Sequence, residues 1–255
     1  MNQFVTPVTT QATLAPQVRK DIANIFFILD KSGSMGSLRE QAISGFNSYI
    51  ASQRQLSGIT RLTFIQFNES RHVIYESQDV KTVSELDMRT YAPSGYTALN
   101  DSVGFVLSEH LTTCSPDETN IIAILTDGAE NASTEYSLEQ IKSLLAQAEA
   151  QGWEVLFLGA NMSKATVVNT YGINASNVSA FAATQKGVSD AFSTLSASTT
   201  SYRGMKSAGN LTDKVDVEAV YVSASSGVQP ADFLNGLKLN MKATATLTKV
   251  APHDQ

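Results

Sequence analysis

Apolar residues along this chain recur with two periods, and the two periods alternate. Four short apolar runs, bounded by polar or turn-forming residues, are typical of buried strands. These runs lie at residues 25–29, 62–67, 121–125 and 153–158. Apolar residues recur at helical spacing in the segments between and after them, at residues 38–50, 97–111 and 138–148. The alternation predicts an α/β fold with a doubly wound, mostly parallel sheet flanked by helices.

Smaller elements complete the predicted sheet. The apolar residues 73–75 follow the turn-forming residues 68–71, which predicts a hairpin with the strand at 62–67. A short helix is expected over residues 83–88. Further elements are predicted as a helix at 165–169, a strand at 178–180 and a helix at 186–196.

The pattern divides the chain into three parts. Residues 1–20 show no periodicity and predict an N-terminal arm, and residues 21–203 carry the α/β pattern. Residues 204–255 predict a small β-rich C-terminal extension. Alternation with period two occurs there at Val215, Val217, Ala219 and Tyr221, and again over residues 237–247. Such a strand either completes its own sheet or lends an edge to a neighbouring chain.

Composition narrows the classes of partner. The net charge is −6, and the 18 Lys and Arg residues are scattered, which argues against nucleic acid or an anionic membrane surface as the partner. No apolar stretch approaches the about 20 residues that span a bilayer, and residues 1–7 do not resemble a signal peptide. We therefore expect a cytoplasmic protein, or a virion protein if it is phage-encoded. Cys114 is the only cysteine, so no intrachain disulfide is expected.

Three segments place oxygen-bearing side chains at the ends of predicted elements. Asp30, Ser32 and Ser34 follow the first strand, Thr97 opens a predicted helix, and Asp127 follows the strand at 121–125. Oxygen ligands suit hard cations such as Mg²⁺, which usually keeps part of its water shell. Because the carboxyl ends of parallel strands share one edge of a sheet, Asp30 and Asp127 are expected to lie side by side.

These motifs together resemble those of the von Willebrand factor A domain family. The motifs are D-x-S-x-S from Asp30, P-S-G-x-T-A-L around Thr97, and T-D-G at Asp127. The resemblance covers about residues 20–203 and indicates a bacterial or phage member. It implies a metal-ion-dependent adhesion site whose metal residues are Asp30, Ser32, Ser34, Thr97 and Asp127.

The resemblance also implies how such a site works. Ser32 and Ser34 would bind the cation directly, Thr97 directly or through water, and Asp30 and Asp127 mostly through water. Mg²⁺ is the expected ion, with Mn²⁺ and Ca²⁺ as alternatives. The last ligand would be an Asp or Glu side chain of a protein partner. Asp101, near the start of the Thr97 helix, is expected to cap or support the site.

Catalytic alternatives fit the residues poorly. A phosphatase of the haloacid dehalogenase type needs a second acid where this chain has Ser32, and a P-loop needs a lysine that is missing after Gly36. Ser34 does not lie in a G-x-S-x-G motif. The histidines His72, His110 and His253 share no motif. We therefore do not expect an enzyme.

Two functions remain open. In the first, the chain is an adaptor in a bacterial or phage complex whose cation captures an acidic side chain of a partner. In the second, it is a structural or assembly subunit of a virion or other large particle, in which the fold is a scaffold. Its termini would then contact neighbouring subunits or other copies of the chain.

Overall fold

The computed structural model describes residues 21–209, 215–230 and 232–236, which form one sheet with helices on both faces. The six strands have the order β3-β2-β1-β4-β5-β6. β3 pairs antiparallel with β2, and all other pairs are parallel. The strands are β1 Ile22–Asp30, β2 Ile59–Phe67, β3 Arg71–Asp79, β4 Thr119–Thr126, β5 Glu154–Ala160 and β6 Val178–Phe181. The predicted doubly wound, mostly parallel α/β sheet is confirmed.

Helices cover both faces of this sheet. They are α1 Arg39–Arg54, α2 Leu99–His110, α3 Leu138–Ala150, α4 Lys164–Tyr171, α5 Gln185–Ser207 and α6 Val217–Ser225. Short 3₁₀ helices lie at Gly33–Leu38, Val80–Thr82 and Ala175–Asn177. None of the helices in the described part of the chain is long and apolar enough to cross a membrane.

The central strand β1 divides the core into two layers. Ile25, Phe27 and Leu29 pack with α1, α5 and α6, while Phe26 and Ile28 pack with α2, α3 and α4. Side chains alternate between the faces of a strand, so a strand buried on both faces reads as one continuous apolar run. That burial anchors β1 and holds its last residue, Asp30, at a fixed place on the edge of the sheet.

The extension beyond residue 203 differs from its prediction. The strand predicted over Val215 to Tyr221 is wrong, because Val217–Ser225 is the helix α6. The Asp216 carboxylate caps this helix by accepting from the Glu218 and Ala219 N–H groups, 3.1 and 3.2 Å away. Buried Val217 and Val220 lie on one helical face. Short apolar runs fit both periods, and here the cap favours the helix.

The predicted domain boundary at 203/204 lies inside α5, which continues to Ser207. The expected helix at 186–196 is therefore correct but too short. The arm at residues 1–20 and the alternating residues 237–247 lie outside the described residues. Their assignments stay predictions.

The helix predicted over residues 83–88 is also wrong. A single 3₁₀ turn, Val80–Thr82, comes just before it, and residues 83–87 have no regular structure. Side chains of α1 bind this backbone instead: Asn47 accepts from the Leu86 N–H at 2.8 Å and donates to the Leu86 carbonyl at 3.0 Å. Arg54 donates to the carbonyls of Val80 and Val83. Backbone groups bound in this way need no helix to be satisfied.

Candidate metal site

Asp30 ends β1 and is fully buried. Its Oδ1 accepts from the Ser32 N–H at 2.6 Å, and its Oδ2 accepts from the Thr126 hydroxyl at 2.6 Å. Its backbone carbonyl accepts from the Tyr91 hydroxyl at 2.5 Å. Asp30 therefore ties the loop after β1 to the end of β4. A carboxylate that already has two protein donors retains lone pairs for water.

Ser32 and Ser34 lie next to each other at the start of the 3₁₀ helix Gly33–Leu38. Their Oγ atoms are 3.1 Å apart, and the Ser34 hydroxyl donates to Asp127 Oδ1 at 2.6 Å. Ser32 is buried, whereas Ser34 is exposed. The two hydroxyls thus connect the β1 loop to the carboxylate that follows β4, with Ser34 on the solvent side.

Thr97 reaches this cluster from a third segment, just before α2. Backbone hydrogen bonds fix its loop, from the Ser94 N–H to the Lys31 carbonyl at 2.8 Å and from the Gly33 N–H to the Gly95 carbonyl at 3.0 Å. The helix begins at Leu99, two residues later than the predicted start at Thr97. Thr97 itself is buried.

Gly128 shows that the three segments converge. A Cβ placed on this glycine would lie 3.5 Å from Thr97 Oγ1 and 4.0 Å from Ser34 Oγ, so both hydroxyls face the glycine. The missing side chain leaves space beside them. The structure therefore brings together all five residues predicted from the sequence: Asp30, Ser32, Ser34, Thr97 and Asp127.

The electrostatics of the cluster are unbalanced. Burial raises the pKa of Asp30, although hydrogen bonds from Thr126 and Ser32 act against it, and the nearby Asp127 charge adds to the rise. Burial also raises the pKa of Asp127. In the described part of the chain no basic side chain forms an ion pair with either acid. Two buried carboxylates without a cation are costly, and a bound cation would remove that cost.

The donor set fits a hard cation. It consists of two carboxylates and three hydroxyls, with no imidazole or thiol among them, and such oxygen ligands suit Mg²⁺. Within the described residues no three His, Cys, Asp or Glu side chains are grouped so that they could hold a metal ion. Metal binding here would therefore depend on hydroxyls and water, and it stays a prediction.

Three supporting residues were missed by the sequence reasoning. Asn131 accepts from the Thr97 N–H at 2.9 Å and donates its own N–H to the Thr97 carbonyl at 3.0 Å. Glu130 accepts from the Asn100 N–H at 2.8 Å. Asn161, in the left-handed region at φ 56°, donates to the Asp127 carbonyl at 2.7 Å. Asn161 comes directly after β5 at the same edge of the sheet, and this position is the signal in the sequence that could have indicated it.

Asp101 supports the site at a distance. Its carboxylate accepts from the N–H groups of Thr134, Glu135 and Tyr136 at 2.8–2.9 Å. It therefore holds the loop that follows Asp127, and the expected support of a bound metal stays a prediction. The residues excluded from catalysis lie elsewhere: His72 is on β3, and His110 contacts Phe26 with ring centroids 4.7 Å apart. His253 lies outside the described residues.

The fold and this arrangement define a doubly wound domain with an oxygen-lined site at the carboxyl ends of β1 and β4. The order of the strands reverses between these two strands. Comparison with family models gives the family: the von Willebrand factor type A domain matches residues 24–197, and the chain belongs to it. Domains of this family commonly mediate protein–protein interaction and adhesion, and they often bind divalent cations. Comparison with curated proteins gives no match.

Several solved structures resemble the chain at low identity. Proximal thread matrix protein 1 from the mussel byssus is 14% identical with a TM-score of 0.51, over 73% of this chain and 46% of that chain. The manganese-loaded TRAP protein of Plasmodium vivax is 16% identical with a TM-score of 0.47, over 64% of this chain and 69% of that one. This chain spans less than half of the mussel protein, and at such identity the likeness concerns the fold alone.

Proposed function

We propose that this cluster is a metal-ion-dependent adhesion site for Mg²⁺, with Mn²⁺ and Ca²⁺ as alternative ions. Ser32, Ser34 and Thr97 would hold the ion, and Asp30 and Asp127 would hold its water ligands. One observation carries the proposal: oxygen side chains from three segments converge on the open side of Gly128, and no basic side chain among the described residues forms an ion pair with the two acids.

The side of the cluster that faces solvent indicates what it would bind. Asp30, Ser32, Thr97 and Asp127 are buried, whereas Ser34 is exposed, so a partner would approach past Ser34. When bound, the cation would supply a positive charge and an open coordination position. A carboxylate is the side chain that satisfies both, so the proposed partner is a protein that presents an Asp or Glu.

The proposed role is that of a non-enzymatic adaptor in a bacterial or phage complex, acting in the cytoplasm or in a virion if phage-encoded. The unneutralised site supports a binding role, because a pair of acids kept without a cation would only destabilise the fold. Assembly through the termini would involve residues 1–20 and 204–255, of which the structure describes only residues 204–209, 215–230 and 232–236. The site therefore favours the adaptor over the structural subunit.

Calorimetric titration tests the metal. We expect Mg²⁺ to bind the full chain with one ion per chain, and Asp30→Asn to abolish or greatly weaken that binding.

Capture of partners from the native lysate, with Mg²⁺ and with EDTA, tests the proposed adaptor role. Capture that persists both in EDTA and in the Asp30→Asn chain would refute a metal-dependent adaptor.

A further inference from the structure

Tyr96 is an exposed aromatic residue directly beside the candidate site. It precedes Thr97 in the sequence, and 69% of it is exposed, the largest value for a large apolar residue in the described part of the chain. Burying an aromatic ring gains free energy, and tyrosine is enriched among residues that dominate binding at interfaces. An aromatic ring left in solvent at the rim of a binding site is therefore a candidate for contact with the partner.

The backbone under Tyr96 is held firmly. Its N–H donates to Glu69 Oε2 at 2.9 Å. Gly95 has φ 76°, and a Cβ on it would collide with the Glu69 carboxylate, so only glycine lets the loop lie so close to that side chain. The Gly95 carbonyl in turn accepts from the Gly33 N–H at 3.0 Å. Contact through this ring would therefore not require the backbone beneath it to become ordered on binding.

Glu69 places a negative charge beside Tyr96, and neighbouring groups offset part of it. Backbone N–H groups, including that of Tyr96, lower the pKa of Glu69, with smaller contributions from the charges of His72 and Lys31. The carboxylate is therefore ionised but turned toward backbone donors, and Lys31 lies close enough to offset part of its charge.

Small residues predominate among the other exposed residues of the three loops that carry the site. These loops lie at residues 33–37, 94–96 and 128–131. Apart from Tyr96, their exposed residues are Gly33, Ser34, Gly36, Ser37, Ser94, Gly95, Ala129 and Asn131. None of these side chains offers a large apolar surface, so within these three loops Tyr96 is the residue suited to select the partner's apolar side chains.

We propose that Tyr96 determines specificity by packing on an apolar or aromatic side chain next to the partner's metal-binding Asp or Glu. This inference rests on the proposed function, because it assumes that the carboxylate binds at the site. Tyr96 and Thr97 are sequence neighbours, with Cα atoms about 3.8 Å apart. The apolar side chain of the partner should therefore lie within one or two residues of its carboxylate.

A random linear peptide library displayed on phage tests this proposal. The library is selected in Mg²⁺ on the full wild-type chain and on Tyr96→Ser, Tyr96→Phe and Asp30→Asn. Val222→Ser is the matched control, because Val222 is 56% exposed on α6, which packs against the edge strand β6. Each selection is repeated in EDTA.

We expect the wild type, Tyr96→Phe and Val222→Ser to enrich Asp or Glu beside an apolar or aromatic residue. Tyr96→Ser should still enrich the acid but lose the apolar neighbour, and it should bind a synthetic wild-type-selected peptide about tenfold more weakly. Unchanged enrichment of the apolar neighbour on Tyr96→Ser would overturn the role of Tyr96 alone. Acid enrichment that is absent on the wild type, or unchanged in EDTA and on Asp30→Asn, would overturn the proposed function and this inference with it.

Discussion

The two ends of the central strands carry polar clusters of opposite character. At the amino end, Asn24 of β1 lies in register with Arg61 of β2 and Asn120 of β4. Asn24 Nδ2 donates to Glu118 Oε2 at 2.6 Å and to Asn120 Oδ1 at 2.8 Å, and Arg61 Nη1 lies 3.3 Å from Glu118 Oε1. This cluster contains one acid and one base, and its groups satisfy one another.

At the carboxyl end of the same strands the groups do not balance. Asp30 and Asp127 are both buried, burial raises the pKa of each, and neither has a basic partner among the described residues. At one end, the same strands thus carry an acid and a base that pair with each other. At the other end, they carry two acids without a basic partner among the described residues. The contrast indicates that the amino end serves the fold and the carboxyl end serves binding. Substitutions at each end can separate the two roles.

The largest effect is expected from Asp30→Asn. The amide keeps the shape of the carboxylate, and its Oδ1 still accepts from the Ser32 N–H, so the fold should be preserved. Loss of the charge and of a water-binding oxygen should weaken Mg²⁺ binding about 100-fold, the upper range for residues that support metal ligands. Isothermal titration calorimetry measures the affinity, and circular dichroism checks the fold.

Thermal or chemical unfolding gives a second measurement of the same site. Mg²⁺ at 100 times its dissociation constant should raise the wild-type free energy of unfolding by about 2.7 kcal/mol. The same concentration should have little effect on Asp30→Asn. Equal stabilisation of both chains would show that Mg²⁺ acts somewhere other than this site.

Asp127→Asn should separate metal binding from stability. The Ser34 hydroxyl can still donate to the amide oxygen, so the loop contact survives, and a costly buried charge is removed. We expect Mg²⁺ affinity to fall about tenfold to 100-fold, while the metal-free free energy of unfolding stays unchanged or rises. Urea unfolding in EDTA measures the second quantity. A clear loss of metal-free stability would show that Asp127 serves the fold rather than the metal.

Gly128→Ala tests the space between the hydroxyls. The new methyl group would meet Thr97 Oγ1 and Ser34 Oγ at ordinary contact distances, so the fold should tolerate it. It would occupy room that a bound ion and its water need, and we expect a loss of Mg²⁺ affinity of up to about tenfold, or about 1.4 kcal/mol. Calorimetry measures it, and Gly36→Ala is a matched control, because a Cβ at Gly36 would contact nothing within 4 Å. An equal loss in the control would rule out the space at Gly128 as the cause.

The fold and the pairing of Asp30 with Asp127 were accessible from the sequence for one physical reason, whereas the complete set with Ser32, Ser34 and Thr97 came from the resemblance to the family. Strands buried on both faces give continuous apolar runs, and the residues that follow parallel strands must meet at one edge. Asp30 and Asp127 could therefore be placed together although they are 97 positions apart in the sequence. The placement of these two acids needed no knowledge of loop conformation.

The supporting contacts were not accessible, because they depend on loop geometry. Asn131 binds the backbone of Thr97, and any asparagine nearby in the sequence would have looked equivalent. Asn47 and Arg54 hold the chain after β3 away from a helix, and no local pattern shows such a long-range contact. The apolar residues of α6 fit both a strand with period two and one face of a helix. The hydrogen bonds of the Asp216 cap decide for the helix, and they are visible only in the structure.

The smallest effect is expected at the amino end, from Glu118→Gln. The amide can still accept from Asn24, but the ion pair with Arg61 is lost. The side chains of Arg61 and Glu118 are 38% and 19% exposed, so this pair should contribute about 1 kcal/mol or less. The free energy of unfolding should fall by that amount in low salt and by less in high salt, because mobile ions screen partly exposed charges. Mg²⁺ affinity should stay at the wild-type value, since the cluster lies at the opposite end of the strands from Asp30. A change in Mg²⁺ affinity would instead mean that β1 and β4 transmit charge or strain along their length, and the division between a folding end and a binding end would fail.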